Sequence, residues 1–294
     1  MQARHIKWLQ SLTIENFHDV ENYIILLNHG QITCTQKEEE HTVTAGDILF
    51  IPGGQPVAIT YGDGSHPVTL NNSYLTPSRC KYFQAIQKPA FTAQFENFSY
   101  ATFDAKVFNT IDLFAFLRIP AFVIKDNEPL SAILKNIFIE SSAEAAGSSR
   151  MVKANTEQLI VELVRHLIAK NLFVENIATN STAFKNPRLV GIFAYIKENL
   201  HGDLSNRMLA TVAHVSEDYA GQYFKMLTGI NPQDYIENQR MGWAVKLLRT
   251  TQKSVSDISK EVGFKDTAYF CRRFKMKFGI PAGKMRSRVH ILSG

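Results

Sequence analysis

The residues with the clearest chemical potential in this chain are cations. Between Phe264 and Arg288 lie eight lysines and arginines against a single acid, Asp266. From Ala183 to the end there are 18 basic and 9 acidic residues, or +9, whereas the remainder holds 14 and 18, or −4, which together give the net +5. Positive charge gathered in one stretch suits a polyanion, because each neutralised phosphate releases counterions. A solvated basic face would have the same composition, so charge alone leaves both readings open. Other reactive types are scattered. Cys34, Cys80 and Cys271 are too far apart for a zinc signature or a disulfide framework. Neither a nucleophile elbow nor a phosphate loop occurs.

Cations need a scaffold that presents them, and an internal repeat supplies one. YAGQYFKMLTGI from Tyr219 and YFCRRFKMKFGI from Tyr269 share six identities at a spacing of 50 residues: Tyr219/Tyr269, Phe224/Phe274, Lys225/Lys275, Met226/Met276, Gly229/Gly279 and Ile230/Ile280. Each copy reads as the second helix of a short pair. Ser216 is placed to cap the first copy and Gly229 to stop it. In the second pair, Ser254-Val-Ser-Asp257 forms a capping box, Gly263 makes the turn and Asp266 caps the copy itself. Two short helices joined by a tight turn form a helix-turn-helix, whose second helix fits a major groove. A plain helical hairpin gives the same pattern, but two such units in a basic region favour DNA. A further helix from about Pro232 to Thr250 connects them. Phe224, Phe270, Phe274 and Phe278 recur at helical spacing and are expected in the core.

The run Ile196–Arg288, with DLSNRMLATVAHVSEDYAGQYFKMLTGINPQDYIENQRMGWAVKLL followed by VSDISKEVGFKDTAYFCRRFKMKFG, resembles the DNA-binding domain of AraC/XylS regulators. It departs from the usual pattern at Pro281, one residue early, at Met285, where an aromatic is usual, and at Ser259, where alanine is usual. The resemblance implies base-facing positions at Asp218, Gly221 and Gln222 on the first recognition helix, and at Thr267, Ala268, Cys271 and Arg272 on the second. Gln222 can read adenine and Arg272 guanine, each through two hydrogen bonds, with Thr267 and Ala268 against a thymine methyl. Asp218 reads better as a helix-dipole acid than as a base reader, and Arg272 equally as a phosphate contact. Arg273, Lys275 and Lys277 are expected at phosphate or solvent, and Arg240 in a structural ion pair.

Residues 20–110 read as short strands: YIILL (23–27), ITCTQ (32–36), HTV (41–43), DILFI (47–51), VAITY (57–61) and an aromatic alternation at Phe91, Ala93 and Phe95. This is the pattern of a sandwich or small barrel. Gly46-Asp-Ile-Leu-Phe-Ile-Pro52-Gly-Gly54 resembles the second half of a cupin motif, and AraC-type regulators commonly carry a cupin-like sensor there. The metal ligands of a cupin are missing: Val57 stands where a histidine is required, and His41 has no His-x-His partner. No metal and no cofactor are therefore expected, and His41 reads as a strand-surface residue. Periodicity turns helical near Glu128 and again over 151–170, whose stripe Ile160, Leu163, Val164, Leu167 and Ile168 suits a partner helix or the chain's own strands.

The expected fold is α+β: a cupin-like β-barrel sensor over 1–127, a helical dimerisation segment and linker over 128–182, and an all-α domain with two helix-turn-helix units over 183–294. The expected protein is not an enzyme. It is a sequence-specific transcription regulator, an activator rather than a repressor. Its expected partners are double-stranded DNA, a second copy through 151–170, a small organic effector in the N-terminal domain and RNA polymerase. A cupin-type enzyme with a helical appendage and a non-specific architectural DNA binder are the alternatives. With no signal-peptide core at the start and no apolar run long enough to span a bilayer, a bacterial cytoplasmic, nucleoid-associated location is expected, without membrane contact.

Overall fold

A computed structural model describes the chain except residues 18, 66, 72–80, 108–110, 144, 175, 176, 178–185, 279 and 287–294. Cys80, Gly279, Arg288 and most of the expected linker lie outside the described residues. The chain forms two compact units, Met1–Ala105 with Ile119–Phe173, and Lys106–Arg118 with Val174–Gly294.

The first unit holds two sheets. One has the strand order β13-β6-β3-β10-β1-β9 and the other β5-β4-β7-β2-β8. The strands are β1 (Gln2–Trp8), β2 (Leu12–Phe17), β3 (Asn22–His29), β4 (Gln31–Gln36), β5 (Glu39–Thr44), β6 (Ile48–Ile51), β7 (Val57–Tyr61), β8 (Val68–Asn71), β9 (Phe83–Ile86), β10 (Asn97–Phe103) and β13 (Phe122–Ile124). Pairing is antiparallel except for β2 with β8. Leu12, Ile14, Ile32, Cys34, Val57 and Ile59 meet Ile6, Trp8, Ile25, Leu27, Leu49 and Ile51 in one core. Alternating apolar residues on β2, β4 and β7 produce this, because successive side chains of a strand face opposite ways. The cupin-like motif forms the β5–β6 turn and the bend after β6. Gly46 takes φ +93°, and the Asp47 carboxylate accepts from the Thr44 amide and hydroxyl, both at 2.8 Å. Only glycine fits at Gly53, where a Cβ would run into the Val20 carbonyl oxygen. His41 is half-buried on the same face as Val43 and 4.0 Å from Glu39. Among the described residues no group of three or more His, Cys, Asp or Glu could hold a metal ion.

The helices α2 (Glu128–Ser142) and α3 (Ser148–Ala169) belong to this unit, and α2 packs on β1. Leu130, Ile133, Leu134, Ile137 and Phe138 face inward from α2, and Leu159, Leu163 and Leu167 from α3. His5 of β1 is buried between the sheet and α2, its Nδ1 2.9 Å from the Ser99 hydroxyl and its Nε2 3.0 Å from that of Ser142. The expected strand through Phe91–Phe95 is absent; these residues form turns ahead of β10. Their alternation has no partner strand, and Pro89 removes a ladder donor just before them.

The second unit begins with β11 (Lys106–Val107), β12 (Ile111–Asp112) and α1 (Leu113–Phe116). It continues with α4 (Pro187–Glu198), α5 (Asn206–Ala213), α6 (Glu217–Thr228), α7 (Pro232–Thr250), α8 (Val255–Glu261), α9 (Thr267–Phe278) and α10 (Ala282–Met285). Segment Lys106–Arg118, sequence-assigned to the sensor, thus lies with the helices: Phe116 sets its ring edge-on to Phe193 of α4, and Arg118 donates to the Gly229 carbonyl at 2.7 Å. Two aromatic clusters build the core, Phe193–Phe224–Tyr235 and Phe264–Phe270–Phe274–Phe278. Met285 is buried at the position where an aromatic was noted as usual.

Candidate nucleic-acid interface

The pairs α5/α6 and α8/α9 are the two helix-turn-helix units. Local chemistry sets their ends. Ser254 accepts from the Asp257 amide at 3.0 Å and donates to its carboxylate at 2.6 Å, which also holds the Asp257 carboxyl below its usual range. Asp266 accepts from the Ala268 amide at 2.7 Å and the Tyr269 amide at 3.2 Å. Ser216 occupies the cap position of α6, but its hydroxyl accepts no capping bond, so the expected cap there is positional only. Gly229 ends α6 at φ +72°. The turn of the first unit uses His214 at φ +54°, and that of the second uses Gly263 at φ +94°.

The connecting helix α7 fixes both units. Arg240 donates from Nε to the Leu200 carbonyl at 2.9 Å and from its terminal nitrogen to that of Gly202 at 3.0 Å. The expected ion pair is replaced by these carbonyl contacts, and burial lowers the guanidinium pKa. A Cβ at Gly263 would lie 2.7 Å from the same Leu200 oxygen and 2.8 Å from Arg240 Nε, so the second turn is wedged against this arginine. On the other side Glu237 receives Arg273 Nε at 2.8 Å and the Tyr269 hydroxyl at 3.2 Å, with a terminal Arg273 nitrogen at 2.7 Å. Lys277 donates to the Asn238 side chain, and desolvation lowers its pKa.

What remains outward on α6 and α9 is one face, repeated. Asp218, Tyr219, Gln222, Lys225 and Met226 are exposed on α6; Ala268, Tyr269, Arg272, Lys275 and Met276 are exposed on α9. Each pair is 50 residues apart, and the spacing i, i+1, i+4, i+7, i+8 runs along one side of a helix. Five of the ten sequence-derived positions fall on these faces: Asp218, Gln222, Ala268, Arg272 and Lys275. The other five do not, Lys277 being half-buried against Asn238. Gly221 is half-buried at the α5 crossing, where a Cβ would meet the Asn206 side chain at 3.3 Å, and its counterpart Cys271 is also half-buried. The Thr267 hydroxyl turns inward to Ser259 at 2.8 Å, and buried Ser259 donates to the Ser256 carbonyl at 2.8 Å. Arg273 is held by Glu237 rather than presented outward. Among the described residues no acid pairs with Arg272.

Five residues on the faces escaped the sequence reading. Lys225 is exposed, Tyr219 and Tyr269 are 43% and 42% exposed, and Met226 and Met276 are 66% and 74% exposed. All five belong to the repeat identities, so the signal lay in asking which repeated residues the core does not need.

Comparison with known proteins agrees with this architecture. The model of an AraC-like ligand binding domain matches residues 9–160, and that of a helix-turn-helix domain matches residues 209–288. An uncharacterized HTH-type transcriptional regulator of Haemophilus influenzae is 24% identical over 272 residues, covering 90% of this chain and 86% of the relative. The HTH-type transcriptional regulator MtrA of Neisseria gonorrhoeae is 21% identical over 268 residues, covering 90% and 85%. The crystal structure of ToxT from Vibrio cholerae superposes with a TM-score of 0.56 at 11% identity, covering 100% of this chain and 97% of that one, a likeness of fold.

Proposed function

We propose that this chain, which belongs to the AraC family of DNA-binding transcription regulators, reads two successive major-groove segments with the matched faces of α6 and α9. The repeated five-residue face carries this reading, since a plain helical hairpin has no need to repeat an outward tyrosine, lysine and methionine. The 19 residues of α7 span about 28 Å at roughly 1.5 Å each. With the width of the flanking pairs, that approaches the roughly 34 Å between major grooves on one side of B-DNA. The site is then a direct, non-palindromic pair of elements about 10 base pairs apart, with Arg272 reading guanine in the stricter element. Affinity measured against spacer length tests this. Five inserted base pairs are expected to abolish two-point binding, and a flat dependence refutes it.

Two further parts complete the proposal. The chain dimerises through α3, whose outward residues Met151, Ala154, Gln158, Val161, Arg165 and Ile168 are all exposed and follow alternating steps of three and four. The expected stripe is thereby divided, with Leu163 and Leu167 packed inward and Ile168 left outward, 60% exposed. Sedimentation of the Val161→Glu, Ile168→Glu variant is expected to give a monomer; an unchanged mass refutes this interface. A small organic effector acts through the strand unit, supported by the AraC-like ligand binding match and by a structure of ToxT with an unsaturated fatty acid bound. Transcription assays with purified RNA polymerase decide whether the output is the expected activation. No helix among the described residues is long and apolar enough to cross a membrane, and the proposed site of action is the cytoplasmic nucleoid.

A further inference from the structure

Between the two sheets of the strand unit lies a cavity of about 40 Å³. Six of its eight lining side chains are aromatic: Phe17, Tyr23, Tyr61, Phe83, Phe98 and Tyr100. Ile14 and Ile25 complete it, and no lining side chain is charged. The rings are already arranged as aromatic groups attract one another. Tyr23 stacks on Tyr100 at 5.4 Å, Tyr61 stacks on Phe98 at 5.4 Å, and Phe83 stands edge-on to Tyr61 at 5.0 Å. Offset and edge-to-face contacts at 4.5–7 Å are the favourable geometries for rings.

We infer that this cavity binds a neutral, single-ring aromatic molecule such as a phenol, and that it rejects carboxylates. The inference rests on the proposed effector role of the strand unit and specifies its ligand. A buried carboxylate needs a compensating cation, and the lining side chains supply none; their only polar groups are the three phenol hydroxyls. One of these, on Tyr23, lies 3.4 Å from the Asp19 carboxylate, which adds repulsion for an anion. Size sets a condition. An engineered apolar cavity that takes benzene measures about 150 Å³, so a ring enters here only if a wall moves. The half-buried pair Phe17 and Tyr23, edge-on at 5.1 Å, is the least buried part of the lining, whereas Ile14, Ile25 and Phe98 are buried in the core, and the inference requires this pair to give way.

The test uses the full chain carrying Trp243→Phe, which leaves Trp8 as the sole tryptophan. Trp8 lies 5.9 Å from Tyr61 and 6.0 Å from Phe98, so its emission reports on the cavity wall. Isoleucine methyls labelled for NMR add a readout that needs no cavity mutation. Phenol is expected to give a saturable emission change, a raised Tm and ring-current shifts at Ile14 and Ile25 but not at Ile192 or Ile236. Benzoate and a long-chain unsaturated fatty acid are expected to leave these methyls unmoved. Tighter binding of either acid at the same methyls, or no shift with phenol, overturns the inference. Operator affinity separates the two readings. If phenol binds and operator affinity stays constant, the cavity assignment stands and the effector role falls. If phenol shifts neither Ile14 nor Ile25 while another small organic molecule changes operator affinity, the effector role stands and the cavity assignment falls.

Discussion

Arg272 and Arg273 are neighbours in sequence with opposite surroundings, and replacing each with alanine should separate two kinds of loss. Arg272 is exposed near the middle of α9, and no acid among the described residues pairs with it. Its removal leaves the fold intact, because alanine is at least as good a helix former. The expected cost is about 1–3 kcal/mol at the cognate site, a roughly 5- to 150-fold weaker Kd, with preference relaxed at one base pair. Arg273 is 37% exposed and Glu237 20%, with nitrogens 2.7 and 2.8 Å from the same carboxylate oxygen. A half-exposed pair of this kind contributes about 1 kcal/mol at most after solvent screening. Arg273→Ala should therefore lower Tm by about 3 °C and leave the salt dependence of DNA binding unchanged. The assays are thermal unfolding, and DNA affinity measured over a salt series on cognate and scrambled duplexes. If Arg272→Ala weakens both duplexes equally, Arg272 contacts phosphate and not a base. If Arg273→Ala reduces the salt slope by about one without changing Tm, Arg273 contacts phosphate and its placement against α7 is wrong in the complex.

Three further outcomes follow from buried geometry. His5 is held neutral, with burial pushing its pKa from 6.5 to about 4; the unfolded chain then binds more protons between those values. Stability is present above about pH 6.5 and falls toward pH 4, by about 3 kcal/mol at 1.36 kcal/mol per unit; urea unfolding across that range checks it, and a His5→Gln variant with the same pH slope refutes it. Gly263→Ala should cost more than about 2 kcal/mol, since φ is +94° and the new Cβ meets the Leu200 oxygen and Arg240; an unchanged Tm contradicts the close approach. Ser259→Ala should cost about 1 kcal/mol, because the buried hydroxyl joins Thr267 and the Ser256 carbonyl, and calorimetry of the variant decides.

The helical unit was largely legible because its signals are local. Capping residues, the glycines at 229 and 263 and the aromatic period all act within one or two helical turns. Orientation on the recognition helices was less legible because it is set at a distance. Thr267 turns inward for Ser259, eight residues back, and Arg273 turns to Glu237, 36 residues back; a helical wheel places both near the groove. The strand unit lost β1 and β2 for a different reason. Each shows only two alternating apolar residues, Ile6 and Trp8 in β1 and Leu12 and Ile14 in β2, too short a run to mark a strand by itself. Conversely, Phe91, Ala93 and Phe95 show alternation without a partner strand, and periodicity alone does not supply one.

The two faces share a tyrosine, a lysine and a methionine at matching positions, so they differ in only two places, Asp218 against Ala268 and Gln222 against Arg272. Both differences weaken the first unit on DNA. A carboxylate repels phosphate where alanine is neutral, and a neutral amide replaces a guanidinium that carries charge and a fork of donors. Identical positioning with unequal attraction assigns unequal tasks. In the binding mode proposed above, the second unit supplies most of the affinity and the strict base preference. The first, locked at a fixed distance by α7 through Arg240 and the Gln233 bond to the Leu204 carbonyl at 2.9 Å, measures whether a second element lies one turn away. A regulator built this way discriminates by spacing as well as by sequence, because an isolated strong element engages only one of two rigidly joined faces.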